Sequence, residues 1–174
     1  MAFFSAASKA DFQQQLQTAL AQHVDPKILP QLNLFAEQFF GIVALPELTE
    51  RRMSDLVGST LASWRLLERF DPAVPEVQVF NPDYEKHGWQ STHSVVEVLH
   101  PDMPFLVDSV TAELNRQGLT VHLVIHPVVR VRRDASGRLT DLYEPQAAPA
   151  EAVPESFMHI EVDEQTDPQF LERV

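Results

Sequence analysis

Apolar residues recur at helical spacing over the first 70 or so positions and at every second position over much of the rest, so the chain predicts a helical part followed by a sheet. Ser8 with Asp11 three positions on reads as a capping box in which Asp replaces Glu, and Phe12, Leu16, Ala19 and Leu20 follow on one face. Asp25-Pro26 ends that helix and opens a second, whose stripe is Ile28, Leu29, Leu32, Phe35, Ala36, Phe39 and Phe40, with Gly41 placed to cap its end. A third helix is expected from Pro46 to Phe70. Leu48, Met53, Leu56, Val57, Leu61, Trp64 and Leu67 form its buried face, and Glu50, Arg51, Arg52, Asp55, Arg65 and Glu68 its solvated one. Three antiparallel helices with short turns are the economical arrangement. Asp71-Pro72-Ala73-Val74-Pro75 closes the helical part, because proline cannot donate to a helix and biases the residue before it to extended geometry.

Beyond that boundary Val77 and Val79 suggest a short strand and Asn81-Pro82-Asp83 a turn. Ser94 to Leu99 is an apolar strand-like run, joined by a turn to an amphipathic helix ending near Gln117. From Leu119 to Val131 the odd positions Leu119, Val121, Leu123, Ile125, Val129 and Val131 are apolar, which predicts one buried and one partly wet face. Pro127 interrupts this strand and implies a bulge or an edge position. Leu139 to Tyr143 should return as a hairpin partner after a turn ending at Gly137. Glu144 to Glu155, with three prolines, reads as a mobile loop. Phe157 to Val162 alternates again, and Asp167-Pro168 carries the signature of another helix start, as though the chain were cut from a longer protein.

The composition narrows the function classes. A chain of 174 residues that is 44% hydrophobic can bury a real core. A net charge of -12 repels polyphosphate, so nucleic acid is not an expected partner, and Arg130, Arg132 and Arg133 read as a solvated strand end. With no cysteine there is no disulfide framework, thiolate ligand or cysteine nucleophile. The first residues lack the form of a signal peptide and no apolar run is long enough to span a bilayer, so no membrane partner is expected.

Four stretches carry a resemblance: Phe80-Asn81-Pro82-Asp83-Tyr84, Gly88-Trp89-Gln90-Ser91-Thr92-His93, Asp102-Met103-Pro104-Phe105-Leu106-Val107-Asp108-Ser109, and Arg130-Val131-Arg132-Arg133-Asp134. Together at this spacing they resemble the amino-terminal region of the large NAD-specific glutamate dehydrogenases of bacteria. The resemblance implies an α+β fold: a helical segment, residues 1–72, followed by a ferredoxin-like, ACT-type antiparallel sheet with helices on one face, residues 73–174, truncated at its C-terminal end. It implies a non-catalytic piece of a cytoplasmic enzyme that deaminates L-glutamate with NAD. Its partners would be the remaining domains, like subunits of a homo-oligomer, and an amino-acid effector. The strand order lacks the final strand of an ACT domain, so that edge is either open or filled by Val77 to Phe80.

The glycines, at 41, 58, 88, 118 and 137, are too far apart for a pyrophosphate cradle or P-loop, so no NAD site is expected in this chain. Neither Lys9, Lys27 nor Lys86 sits in a glycine-rich setting suited to imine chemistry, and no catalytic residue is assigned. His122 and His126 would share a zinc-binding face on a helix, but on a strand they stand about 13 Å apart, so no metal site is expected. Asp102 is read first as the cap of the helix that follows, with Pro104 tolerated in its first turn. The sharper reading places an amino-acid effector at Pro101, Asp102, Met103, Pro104, Phe105, Asp108 and Ser109. There the helix N-terminus would take a carboxylate and the two aspartates an ammonium. Phe105, Leu106, Val107, Val110 and Leu114 are expected in the core, and Trp89 as a packing anchor.

Overall fold

The computed structural model describes residues 4–167 and 171. Helix α1, Lys9–Leu20, starts as its sequence predicts: the Ser8 hydroxyl accepts from the Asp11 amide at 3.1 Å, and the Asp11 carboxylate accepts from the Ala7 amide at 2.8 Å. Helix α2, Leu29–Phe40, ends at Gly41, which keeps right-handed helical geometry instead of the left-handed cap expected of it. The cap comes from elsewhere in the chain. Lys9 Nζ donates to the carbonyls of Phe40 and Val43, at 2.5 Å each, and satisfies acceptors that the helix leaves open.

The third expected helix is two. α3, Leu45–Thr49, and α4, Met53–Glu68, are separated by Glu50-Arg51-Arg52. The break turns Arg51 away from solvent toward the sheet, where its guanidinium meets a buried carboxylate. Helical periodicity continues across the break, so the sequence gives no sign of it.

Strand β6, Val153–Asp163, is the axis of a six-stranded antiparallel sheet. One side of it pairs along its whole length with β2, His93–Pro101, from His93 opposite Asp163 to Pro101 opposite Glu155. The other side is shared by β3, Val121–Ile125, and β4, Val128–Arg133. These two are the expected 119–131 strand, divided where Pro127 has no N–H to give; its carbonyl still accepts from Phe157 at 3.1 Å. β1, Glu76–Phe80, pairs with β2 and closes the edge that the ACT-type order leaves open. β5, Leu139–Tyr143, pairs with β4 at the opposite edge. A short helix α5, Tyr84–His87, follows β1 and is capped by Asp83. Glu144 to Glu155 is not wholly a loop, since β6 begins at Val153 and Glu155 is buried.

Helices cover both faces of the sheet. α6, Leu106–Arg116, lies on one, where Leu114 joins Val96, Val98, Met158, Ile160 and Val162. The α1–α4 layer covers the other, with Phe35 and Phe39 edge-on to Phe157 at 5.6 and 6.0 Å. That core includes Leu99, Ile125, Val129, Val131 and Leu142 from the sheet, so it is built from both halves of the chain. The even alternation read from Leu119 to Val131 breaks at His122. A register shift there sends Val121 and Val124 to the α6 side and Leu123 and Ile125 to the helical layer.

Other expectations need correction. Phe105 is not core: it is 77% exposed at φ +65, a left-handed conformation costly for a non-glycine residue. Arg133 is not a solvated strand end. It is buried and forked onto Glu155 by bonds of 2.7 and 2.6 Å, while Arg132 reaches Asp141 at 2.9 Å nearer the surface. The helix expected from Asp167-Pro168 falls outside the described residues except at Leu171, whose amide donates to the Asp167 carbonyl. Among the described residues no helix is long and apolar enough to cross a membrane.

Trp89 is the packing anchor its position suggested, 2% exposed and laid against Gly58 of α4. A Cβ on Gly58 would stand 2.4 Å from the Trp89 Cβ. Alanine improves helix propensity by about 1 kcal/mol, but overpacking of this kind costs about 1–3 kcal/mol. Gly58→Ala should therefore lower stability, read as a lower urea midpoint with an unchanged slope.

Candidate functional site

Buried polar residues and the larger pocket gather where the helical layer meets the sheet. β6 alternates Met158, Ile160 and Val162 toward α6 with Phe157, His159 and Glu161 toward the helical layer, and the polar members of that second face are buried as fully as the apolar ones. Glu97, inside the apolar run of β2, pairs across the ladder with His159. Its carboxylate accepts from Ser63 of α4 at 2.6 Å and lies 2.9 Å from His159 Nδ1. On the other edge of the ring, Nε2 of His159 stands 3.9 Å from Glu161. Glu161 in turn receives both terminal nitrogens of Arg51, at 2.5 and 2.8 Å. Chain connectivity thus runs from α4 through two strands to the α3–α4 break.

The electrostatics follow from the geometry. Burial by itself would strip His159 of its proton, but the neighbouring Glu161 and Glu97 carboxylates outweigh it and lift the imidazolium to about 9. Burial would likewise raise Glu161, and the hydrogen bonds from Arg51, reinforced by His159, hold it far below the usual carboxylate range. The two carboxylates therefore face one guanidinium and one imidazolium, and the chain of charges is balanced.

This chain forms part of the wall of a pocket of about 940 Å³. Phe39, Phe40, Val43, Leu48, Leu56, Leu123 and Ile125 make its apolar lining, and Glu47, Glu50, Asp55, Asp83 and Glu164 supply carboxylates. Trp89 also lines it, and its buried indole N–H has no hydrogen-bond partner among the described residues. At the mouth the His93 and His122 rings lie 4.6 Å apart. His122 is the extra residue of the β3 bulge, which aims its Nε2 at Asp163, 2.7 Å away. Hydrogen bonds from Thr120 and His122 keep Asp163 down at about 2.

The residues proposed from sequence lie elsewhere. Pro101, Asp102, Met103, Pro104, Phe105, Asp108 and Ser109 stay together at the far end of β2, most of them exposed, and line neither this pocket nor the smaller one around Arg69, Phe70 and Arg138. Asp102 is not the cap of α6. Phe105 takes the cap position with no side-chain bond, and the Asp102 amide donates to the Pro154 carbonyl. His126 bonds Ser156 at 2.6 Å, away from His122, so the two histidines do not converge. Among the described residues no group of three or more His, Asp or Glu is placed to hold a metal ion.

Arg51, placed by periodicity on a solvated helix face, is drawn instead to the sheet, and neither it nor Glu97, His159 and Glu161 is assigned a site role from sequence. A usable signal was present: a glutamate within the apolar run 94–99 and a histidine and glutamate alternating with Met158, Ile160 and Val162 are polar groups in strands hydrophobic enough to be buried. A dinucleotide does not fit these residues. No glycine lines the pocket, its carboxylates oppose a pyrophosphate, and the glycines with positive φ sit apart in three separate turns.

A sheet in which β2 and the β3/β4 pair both lie antiparallel to an intervening β6, with α6 crossing between them, is the split β-α-β arrangement of an ACT-type module. Residues 35–174 match the family described as glutamate dehydrogenase, ACT1 domain, and the chain belongs to that family. It is 63% identical over 163 residues to an NAD-specific glutamate dehydrogenase of Pseudomonas aeruginosa, covering 94% of this chain and 10% of that protein. An NAD-specific glutamate dehydrogenase of Halomonas elongata is 44% identical over 167 residues, covering 96% of this chain and again 10% of the relative. The chain thus spans about a tenth of the length of these relatives. No solved structure matches it.

Two measurements test the site. Arg51→Met keeps the aliphatic stem but leaves Glu161 buried without its cation. Such a loss costs about 3–5 kcal/mol, and water reaching through the pocket places it near the lower end. By contrast, Arg116→Ala, at the exposed pair with Glu113, should leave the urea midpoint unchanged. The second is the pH profile of the melting temperature. His159 is raised from 6.5 to about 9, so its contribution is complete below 6.5 and lost as pH rises toward 9. Glu161 is depressed from 4.5, so its contribution is complete above 4.5 and lost as pH falls. The alkaline decline should flatten in His159→Gln.

Proposed function

We propose that this chain is a non-catalytic regulatory and assembly region of a larger, cytoplasmic NAD-dependent glutamate dehydrogenase. The whole enzyme would oxidise L-glutamate to 2-oxoglutarate and ammonia with NAD. The helical segment 1–72 and the sheet unit 73–174 would together contact the remaining domains and like subunits of a homo-oligomer.

The observation that carries the regulatory reading is the pocket at the seam of the two layers. Glu47 and Glu50 are exposed carboxylates suited to an ammonium, while the outer edge of Arg51 and the unpartnered Trp89 N–H suit a carboxylate. An amino acid presents both groups. Regulation requires that it bind two states of the enzyme unequally, and a pocket bounded by two layers changes shape whenever those layers shift. A second reading keeps the effector at Pro101 to Ser109, favoured by the α6 N-terminus, whose amides have no side-chain cap. A purely structural assembly module would bind no effector at either place.

The test is NAD-dependent glutamate oxidation, with and without a panel of amino acids, by the full-length enzyme and by a form lacking residues 1–174. The shortened form should remain active and lose an amino-acid response. In the full-length enzyme Glu47→Gln with Glu50→Gln should raise the half-effective concentration about tenfold, the scale of a lost charged hydrogen bond, whereas Asp108→Asn should not. The opposite pattern moves the effector to the turn. Loss of assembly with no effector response in any form leaves only the scaffold.

A further inference from the structure

The helical layer holds the polar interior of the sheet at two points. Arg51, at the α3–α4 break, grips Glu161, and Ser63, within α4, grips Glu97. Between these two carboxylates stands His159, and its proton decides whether the interior is balanced. With the proton, two carboxylates face Arg51 and an imidazolium; without it, one buried carboxylate charge has no partner. An uncompensated buried charge is strongly unfavourable, and admitting water to it by loosening the helical layer relieves that penalty. We propose that Glu97, His159, Glu161 and Arg51 form a proton-dependent latch that holds the α3–α4 break of the helical layer against the sheet.

Every element packed around His159 bears on this. From β2 come Glu97 and, at the strand's start, His93, 3.7 Å from Glu161. From its own strand comes Glu161. From α4 comes Ser63, acting through Glu97, and from the break Arg51, acting through Glu161. Its other neighbours include neutral groups, Phe39 of α2 at 5.4 Å, Trp89 at 6.2 Å and Ile125, its cross-strand partner on β3. Among the described residues His93 is the further side chain within ion-pair distance of Glu161, and it lines the pocket beside His122 of β3; no ion pair joins either of them to Glu97. Glu97 therefore relies on His159 for its positive charge.

The place of opening follows from where water can reach. His159 and Glu161 both line the pocket whose other wall is built by residues 47–56, so relief of the buried charge comes by separating that wall from β6. α1 touches none of these groups and should stay seated. The elevated proton affinity of His159 fits a latch that is closed at neutral pH. This mechanism needs no effector and stands apart from the regulatory reading.

The experiment follows two signals in this chain between pH 6 and 10: the His159 imidazole resonances, and amide exchange at residues 47–56 and in α1, corrected for the intrinsic pH dependence of exchange. His159 should titrate well above the ordinary histidine range. Between the ordinary histidine value of 6.5 and that midpoint, protection at 47–56 should fall about tenfold per pH unit, as required for opening coupled to loss of one proton, and level off above it, while α1 holds. In His159→Gln, protection at 47–56 should be low and independent of pH. If that variant fails to fold, Ser63→Ala serves instead, since weakening the grip on Glu97 should shift the exchange transition and the imidazole midpoint together. An ordinary His159 midpoint, or protection at 47–56 unmoved while His159 titrates, overturns the latch.

Discussion

The constraint on which the two-layer structure depends is charge balance inside an otherwise apolar seam. Glu97 and Glu161 are each 1% exposed, on neighbouring strands, and face the same helical layer. Two carboxylates so placed repel each other and lose their hydration, and neither term is recovered unless cations reach both. One cation, His159, comes from the sheet itself. The other, Arg51, comes only from the helical layer, and only because a helix that periodicity would carry straight through is broken at Glu50-Arg51-Arg52. The break, the seating of α4 and the protonation of His159 are thus parts of one solution.

β6 makes this arrangement possible because it is covered on both faces. Its α6 side is purely aliphatic and can be built by local packing alone, since β2, α6 and β3 follow one another in the chain. Its other side mixes Phe157 with His159 and Glu161 and waits for elements that lie some 100 residues earlier, as in the contact of Arg51 with Glu161 across 110 positions. The first face gives a sheet-and-helix unit. The second joins the helical segment to that unit through specific pairs as well as through Phe35 and Phe39.

What could be read from the sequence was whatever depends on neighbours in the chain. The Ser8–Asp11 capping box and the interruption at Pro127 follow from local residue chemistry, and β1 at the edge is one of the two arrangements that the strand order leaves open. The broken third helix, the His122 bulge and the burial of Arg133 do not, because each is set by a partner distant in sequence: Glu161, Asp163 and Glu155 respectively. Phe105 fails for another reason. Its place in the helical pattern is apolar, but the chain turns there with positive φ, and the side chain is carried outside the face its spacing predicts. The candidate pocket was invisible for the same cause, being assembled from helices, strands and turns across residues 39–164.

The two buried Arg–Glu pairs on β6 differ in what each can report. Arg133 and Glu155 belong to adjacent strands, so formation of the sheet brings them together, with the Phe70 ring of the helical segment 5.3 Å from the guanidinium. Arg51 and Glu161 meet only when the helical layer is seated. They also lie at opposite ends of the sheet, Glu161 near the start of β2 and Glu155 opposite Pro101 at its end. Glu155 and Glu161 stand six residue steps apart on β6, about 20 Å of strand. The turn from Pro101 to Ser109 therefore sits beside the pair joined within the sheet, and the pocket beside the pair that joins the sheet to the helical layer. A ligand at the turn could reach the helical layer only through the length of β2 or β6, whereas one in the pocket touches Arg51 and Glu161 directly. Coupling between a small molecule and the relative placement of the layers would be most direct at the pocket, because the residues that line it include Arg51 and Glu161, the pair that joins the layers.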